Sequence, residues 1–138
     1  MKMGGVALAL MMGTALASFA ADSKDASDVH CYELRTYTAV AGRLPNLHAR
    51  FRNHAVPLLT KHGMKLLGFW TPIDKPDTLV YLVEHESREA AQKSWTAFRA
   101  DPEWLKARKA SEEEAGGGSL TEKVESVFMM PTDYSAMK

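Results

Sequence analysis

Histidine is the side chain best suited to moving protons near neutral pH. Three of the five histidines in this chain, His48, His54 and His62, fall within one helical run. On a helical wheel Leu44, Leu47, His48, Phe51, Ala55, Leu58, Leu59 and His62 share an arc about 120° wide. His54 lies about 20° outside that arc, where it can look sideways into a cleft between helix and sheet. Pro57 follows. It has no N–H and its ring crowds the Asn53 carbonyl, so the helix should bend there. A histidine beside such a bend can act as a general base or as a metal or haem ligand. It can also be structural, bonded to backbone or water. His48 and His62 stand inside the arc and each needs a polar partner; His62 can also complement the negative helix end. Their separation excludes the i, i+4 spacing of a helical metal pair.

A second set of groups suits a ligand rather than a proton. Trp70 and Trp95 can line an apolar pocket, with Phe51 on the first helix, or they can be core; the same choice holds for Trp104. Tyr32, Arg35 and Tyr81 carry polar tips on central strands, and Arg35 set opposite Glu84 would make a buried pair or an anion anchor. No Ser/His/Asp or Cys/His triad can be assembled, and no Cys/His/carboxylate cluster reads as a metal site. Gly116–Gly118 precedes a strand rather than opening a helix, so it is a hinge and not a phosphate loop. Cys31 is the only cysteine, which excludes an intrachain disulfide, and its strand setting reads as a buried thiol.

These residues need elements to position them. Val29–Thr38, rich in β-branched and aromatic residues, reads as a strand. The first helix runs from Leu44, with Pro45 in its first turn, to His62, where Gly63 stops it. Met64–Thr71 and Thr78–His85 are the next strands. Ser87 caps a second helix carrying Ala91, Ser94, Trp95 and Phe98 on one face. Asp101-Pro102-Glu103 restarts the chain as a third helix, and Leu120–Met130 is the last strand, with Leu120, Glu122, Val124, Ser126 and Phe128 on one side. The order β-α-β-β-α-β, with an extra helical segment, is the ferredoxin-like unit: an α+β antiparallel sheet with helices on one face. Leu66 and Trp70 on one side of the second strand, against Leu67 and Phe69 on the other, imply that both sheet faces are buried. The helices cover only one face. A second copy on the other would make a dimeric α+β barrel, and a homodimer is the expected partner.

At 138 residues the chain holds one domain. Met1–Ala20 has the positive n-region, apolar core and small-residue cleavage site of a signal peptide. Residues 21–28 form a polar leader and 29–135 the domain, so a periplasmic or secreted protein is expected, with no membrane contact after cleavage. Removing Lys2 leaves 16 basic against 17 acidic side chains, which argues against nucleic acid as a partner.

The run Tyr32–Thr38 (YELRTYT), the stretch His54-Ala55-Val56-Pro57-Leu58-Leu59, then Lys61-His62-Gly63, Leu67-Gly68-Phe69-Trp70 and Asp101-Pro102-Glu103-Trp104 together resemble the NIPSNAP family over the whole mature domain. The resemblance implies the dimeric α+β barrel and little chemistry, since related barrels include cofactor-independent monooxygenases, lactone isomerases and haem enzymes. The third strand departs from the family's aromatic pattern at Val83 and His85, and Arg88 and Arg99 are the only arginines of the second helix. Two functions follow as expectations. One is a binding module that holds a small apolar or aromatic ligand in the helix–sheet cleft, or a protein partner. The other is a cofactor-independent monooxygenase- or isomerase-like enzyme with His54 as base and the Tyr and Trp residues enclosing an intermediate away from water. Haem bound through one histidine lacks a supporting motif, and no cofactor is expected.

Overall fold

The elements follow the alternation of the sequence. β1 (Cys31–Ala39), β2 (Lys65–Trp70), β3 (Thr78–His85) and β4 (Thr121–Met129) form one antiparallel sheet in the order β2-β3-β1-β4. α1 (Leu44–Arg50) and α2 (Val56–Lys61) cross from β1 to β2, and α3 (Arg88–Ala100) and α4 (Pro102–Glu114) cross from β3 to β4. This computed structural model describes residues 30–138, so the expected signal peptide, the leader and the first residue of the expected opening strand lie outside the described residues. None of the described helices is long and apolar enough to cross a membrane.

Capping chemistry sets the helix ends. The Ser87 hydroxyl accepts from the Ala90 N–H at the start of α3, and the Asp101 carboxylate accepts from the Glu103 N–H at the start of α4. Asp101 also accepts from His62 Nε2 at 2.7 Å and Lys61 Nζ at 3.0 Å. It therefore ties the end of α2 to the α3–α4 corner and supplies the polar partner that His62 requires. Those donors, His62 first, hold the Asp101 carboxyl far below the usual carboxylate range.

Pro57 acts on the helix one turn earlier than its own position. Residues Phe51–Ala55 form a π-turn between α1 and α2, and the Val56 N–H donates to the Phe51 carbonyl. Such a wide turn carries the carbonyl four residues back away from a proline ring. The extra residue also shifts the helical wheel. Arg50, at the end of α1 just before the π-turn, is buried, with its guanidinium 5.5 Å from the Trp104 ring and 3.7 Å from Glu112. Burial pulls its pKa down and Glu112 pulls it up.

Leu47, Leu59, Met64, Tyr81, Val83 and Leu120 are almost completely buried between helices and sheet. Each large apolar side chain so removed from water stabilises the fold by about 1.5–3 kcal/mol. The second strand differs from simple alternation. A bulge between Leu66 and Gly68 leaves Leu66 beside Val83 and Phe69 beside Tyr81 on the helix side, and turns Trp70 to the opposite face beside Val80. Leu66 and Trp70 therefore do not share a face. That opposite face, carrying Leu34, Thr36, Val80, Leu82 and Val127, has no helix over it, and Val127 is 54% exposed.

Candidate functional site

Period two places Glu33, Arg35 and Tyr37 of β1 on the helix side of the sheet. Strand pairing sets them beside Val83, Tyr81 and Leu79 of β3 and beside Phe128, Ser126 and Val124 of β4. Glu33 is 1% exposed and accepts four hydrogen bonds. They come from Ser126 Oγ at 2.6 Å, Arg35 Nη1 at 2.7 Å, Trp95 Nε1 at 2.7 Å and His85 Nε2 at 2.8 Å. A carboxylate only accepts, so His85 donates from Nε2. Burial would push the Glu33 carboxyl up, but the donors from His85, Ser126, Trp95 and Arg35 outweigh it and hold the pKa at about 2. Glu33 is thus a fixed negative charge and a poor base at neutral pH. Arg35 was expected to meet Glu84. It stands opposite Tyr81 and pairs with Glu33, while Glu84 stands opposite Tyr32 on the other face and pairs with Lys65.

From this floor a polar chain runs inward. Arg35 Nη2 donates to the Tyr37 hydroxyl at 3.1 Å, and the Tyr81 hydroxyl donates to Tyr37 at 3.1 Å. Burial pushes the Tyr81 phenol well above its ordinary value, with the Tyr37 oxygen acting in the same direction. Outward from Glu33 the space is open, because β4 lies at the sheet edge and α3 leaves it exposed along most of its length. The resulting cleft has a volume of about 710 Å³, with Trp95, Gln92 and two arginines of α3 on one wall and Ser126 and Phe128 on the other. The Arg35 guanidinium lies 4.1 Å from the centre of the Trp95 ring, and that of Arg88 lies 4.4 Å from the centre of Phe128. A flat-walled cavity with a few fixed polar groups suits a small molecule.

The sequence profile of the NIPSNAP family matches residues 32–136, which contain the whole sheet except Cys31, all the helices and every residue of this cleft. This chain belongs to the NIPSNAP family. No curated protein sequence matches it. Among solved structures, it is similar to a NIPSNAP family protein of unknown function from Agrobacterium tumefaciens. The two share 21% identity over 80% of this chain and 96% of that one, with a TM-score of 0.67. An uncharacterized NIPSNAP domain protein from Burkholderia xenovorans shares 22% identity over 76% of this chain and 97% of that one, with a TM-score of 0.64. A cofactor-independent oxygenase from Streptomyces nogalater shares 13% identity over 79% of this chain and 98% of that one, with a TM-score of 0.53. At such identities these likenesses establish the fold alone: the NIPSNAP domain is an α+β fold with a four-stranded antiparallel sheet.

The NIPSNAP domain brings some of the sequence candidates together and separates others. Arg35 and Trp95 meet in the cleft. Phe51 and Tyr81 meet behind it, ring centres 5.3 Å apart, in an aromatic cluster with Tyr37 and Phe69. Tyr32 and Trp70 lie on the opposite sheet face, Tyr32 beside the C-terminal tail and Trp70 half-exposed near the β2 edge. His54 is exposed on the π-turn. It lines a groove of about 430 Å³ formed with Asn53, Pro57, Glu103, Lys106 and Ala107, so its neighbours are α4 residues and not sheet residues. Among the described residues no group of three His, Cys, Asp or Glu side chains is placed to hold a metal ion. Cys31 is buried, and burial pushes its thiol pKa up.

Sequence reasoning missed Glu33, Gln92, Ser126 and Phe128 as members of one site. A signal was present. Glu33 is the only carboxylate of the first strand and stands two residues from Arg35 on the same face.

Proposed function

We propose that this NIPSNAP domain is an exported homodimer that binds a small apolar or aromatic molecule in the cleft between α3 and the β1–β4 edge. The observation that carries this reading is the preorganised floor. Glu33 locks Trp95 and Arg35 through hydrogen bonds of 2.7 Å each, so the largely buried indole and guanidinium at the cleft floor are fixed without a ligand to order them. The pattern of Met1–Ala20 supports export. The uncovered apolar face with Leu34, Val80, Leu82 and Val127 supports a second copy as its cover.

The reading is tested by native mass spectrometry of the purified protein, followed by Gln92→Trp. Gln92 is exposed on α3 at the cleft wall, so a bulky replacement fills the space without touching the core. A co-purified small molecule that disappears in the variant is the expected result. A molecule retained at the same occupancy would move the site elsewhere.

A second reading keeps cofactor-independent catalysis at His54. Its supporting observation is the exposed imidazole on a π-turn at the wall of a separate groove. In that case His54→Ala removes turnover and leaves occupancy of the α3 cleft unchanged.

A further inference from the structure

Helix α3 presents Arg88, Gln92, Trp95 and Arg99 to the cleft. Their spacing of i, i+4, i+7 and i+11 confines them to an arc of about 60° on the helix. This stripe gives the cleft an uneven charge. Two carboxylates line it, and both are engaged: Glu33 by its four donors, and Glu89 by Lys93 Nζ at 2.7 Å. Arg35 is taken up by Glu33 and Tyr37. The other two arginines are not taken up. Among the described residues no carboxylate lies within 4.0 Å of the guanidinium of Arg88 or Arg99. Both are positioned by aromatic rings instead, Arg88 by Phe128 at 4.4 Å and Arg99 by Trp95 at 5.6 Å.

A guanidinium held against a ring keeps its forked donors available for a planar oxyanion. Phe128, partly exposed on β4, offers apolar surface beside the charge, and the largely buried Trp95 lies at the cleft wall. The rise of an α-helix separates Arg88 from Arg99 by roughly 16 Å along α3, so they serve opposite ends of the cleft, with Trp95 between them in the stripe. We infer that the ligand of this cleft is a small organic anion: a flat, apolar or aromatic carboxylate whose acid group pairs with Arg88 or Arg99 while its body lies against Trp95 and Phe128. This rests on the cleft-binding reading above and adds the chemical class of its ligand.

The test uses calorimetric titration of the purified protein with benzoate, cinnamate and 2-naphthoate, each against the neutral alcohol of the same carbon skeleton. Charge-assisted pairing predicts that at least one carboxylate binds about 10-fold or more tighter than its alcohol. That preference should weaken with added salt. Arg88→Gln/Arg99→Gln should abolish the preference, while Lys109→Gln, an exposed lysine on α4 outside the cleft, should leave it intact. Both arginines are exposed, so the double variant is expected to fold, and an unchanged circular dichroism melt verifies this. Alcohols that bind as well as their acids would overturn the anion inference and leave the cleft reading standing. A carboxylate preference that survives in the folded double variant would also overturn it. Failure of every acid and every alcohol to bind would overturn both.

Discussion

The indole N–H of Trp95 donates to the carboxylate of Glu33 at 2.7 Å, joining α3 to the middle of the sheet across 62 residues of sequence. The same carboxylate oxygen accepts from His85, and its twin accepts from Arg35 and Ser126. One buried charge thus fixes the wall and floor of the cleft together.

Replacing Glu33 by Gln tests that role. The amide keeps the shape but offers one acceptor to four donors, and it leaves the Arg35 guanidinium buried without its counter-charge. Breaking a buried pair in this way costs about 3–5 kcal/mol. Urea unfolding of Glu33→Gln should show a loss of that order, and a loss under 1 kcal/mol would mean that the cleft floor does not depend on the charge.

Acid should act through the same group. The Glu33 pKa is about 2 in the folded protein and near its ordinary value of 4.5 when unfolded. A depressed folded pKa contributes stability that is complete above the unfolded value and is lost as pH falls through the folded one. The difference corresponds to on the order of 3 kcal/mol. Stability of the wild type, followed by urea midpoints, should therefore fall between about pH 4.5 and pH 2. Glu33→Gln should lack that part of the slope, and equal slopes would assign the acid sensitivity to other groups.

The open sheet face makes a separate prediction. Val127 is 54% exposed there and faces Leu34 across the β1–β4 pairing. A glutamate at 127 would be harmless on a protomer in water and costly in an apolar interface. Size-exclusion chromatography with light scattering should give a dimer for the wild type and a monomer for Val127→Glu, with unchanged circular dichroism. A wild type already at monomer mass would remove the proposed homodimer.

Gly68 controls Trp70. A Cβ added at Gly68 would lie 2.6 Å from Cη2 of the Trp70 ring, so the indole must move in Gly68→Ala. Trp70 is half-exposed and able to yield, and the cost should stay near or below about 1 kcal/mol. Its emission should shift relative to wild type, as resolved against a Trp70→Phe background. An unchanged Trp70 contribution would show that the ring does not lie over the glycine in solution.

Much of this fold is legible in the chain because the signals are local. Ser87 and Asp101 cap the helices they were expected to cap, Gly63 ends the first helix at φ +80°, and the β-branched and aromatic content of Tyr32–Thr38 and Leu79–Val83 marks the two central strands. The candidate site is legible only in part. Arg35 and Trp95 stood out by residue type, but Arg35 was paired with the wrong glutamate. Facing residues across a strand pair depend on register, and register is not written in either strand alone. Glu33 was passed over because a carboxylate in a strand reads as solvent-facing until its donors are known.

The sequence by itself determined the order of elements, their caps and breaks, and the family. These follow from the period of apolar residues and from the backbone limits of Pro, Gly and capping side chains, all of which act over a few residues. The tertiary structure alone decided which polar groups meet. The bulge at Leu66–Gly68 sent Trp70 to the open face, and the π-turn before Pro57 accompanies an outward-facing His54 beside α4. Each is a one-residue irregularity that turns every side chain beyond it. The gathering of four donors from four elements around Glu33 depends on contacts between segments far apart in the chain, which no local pattern encodes.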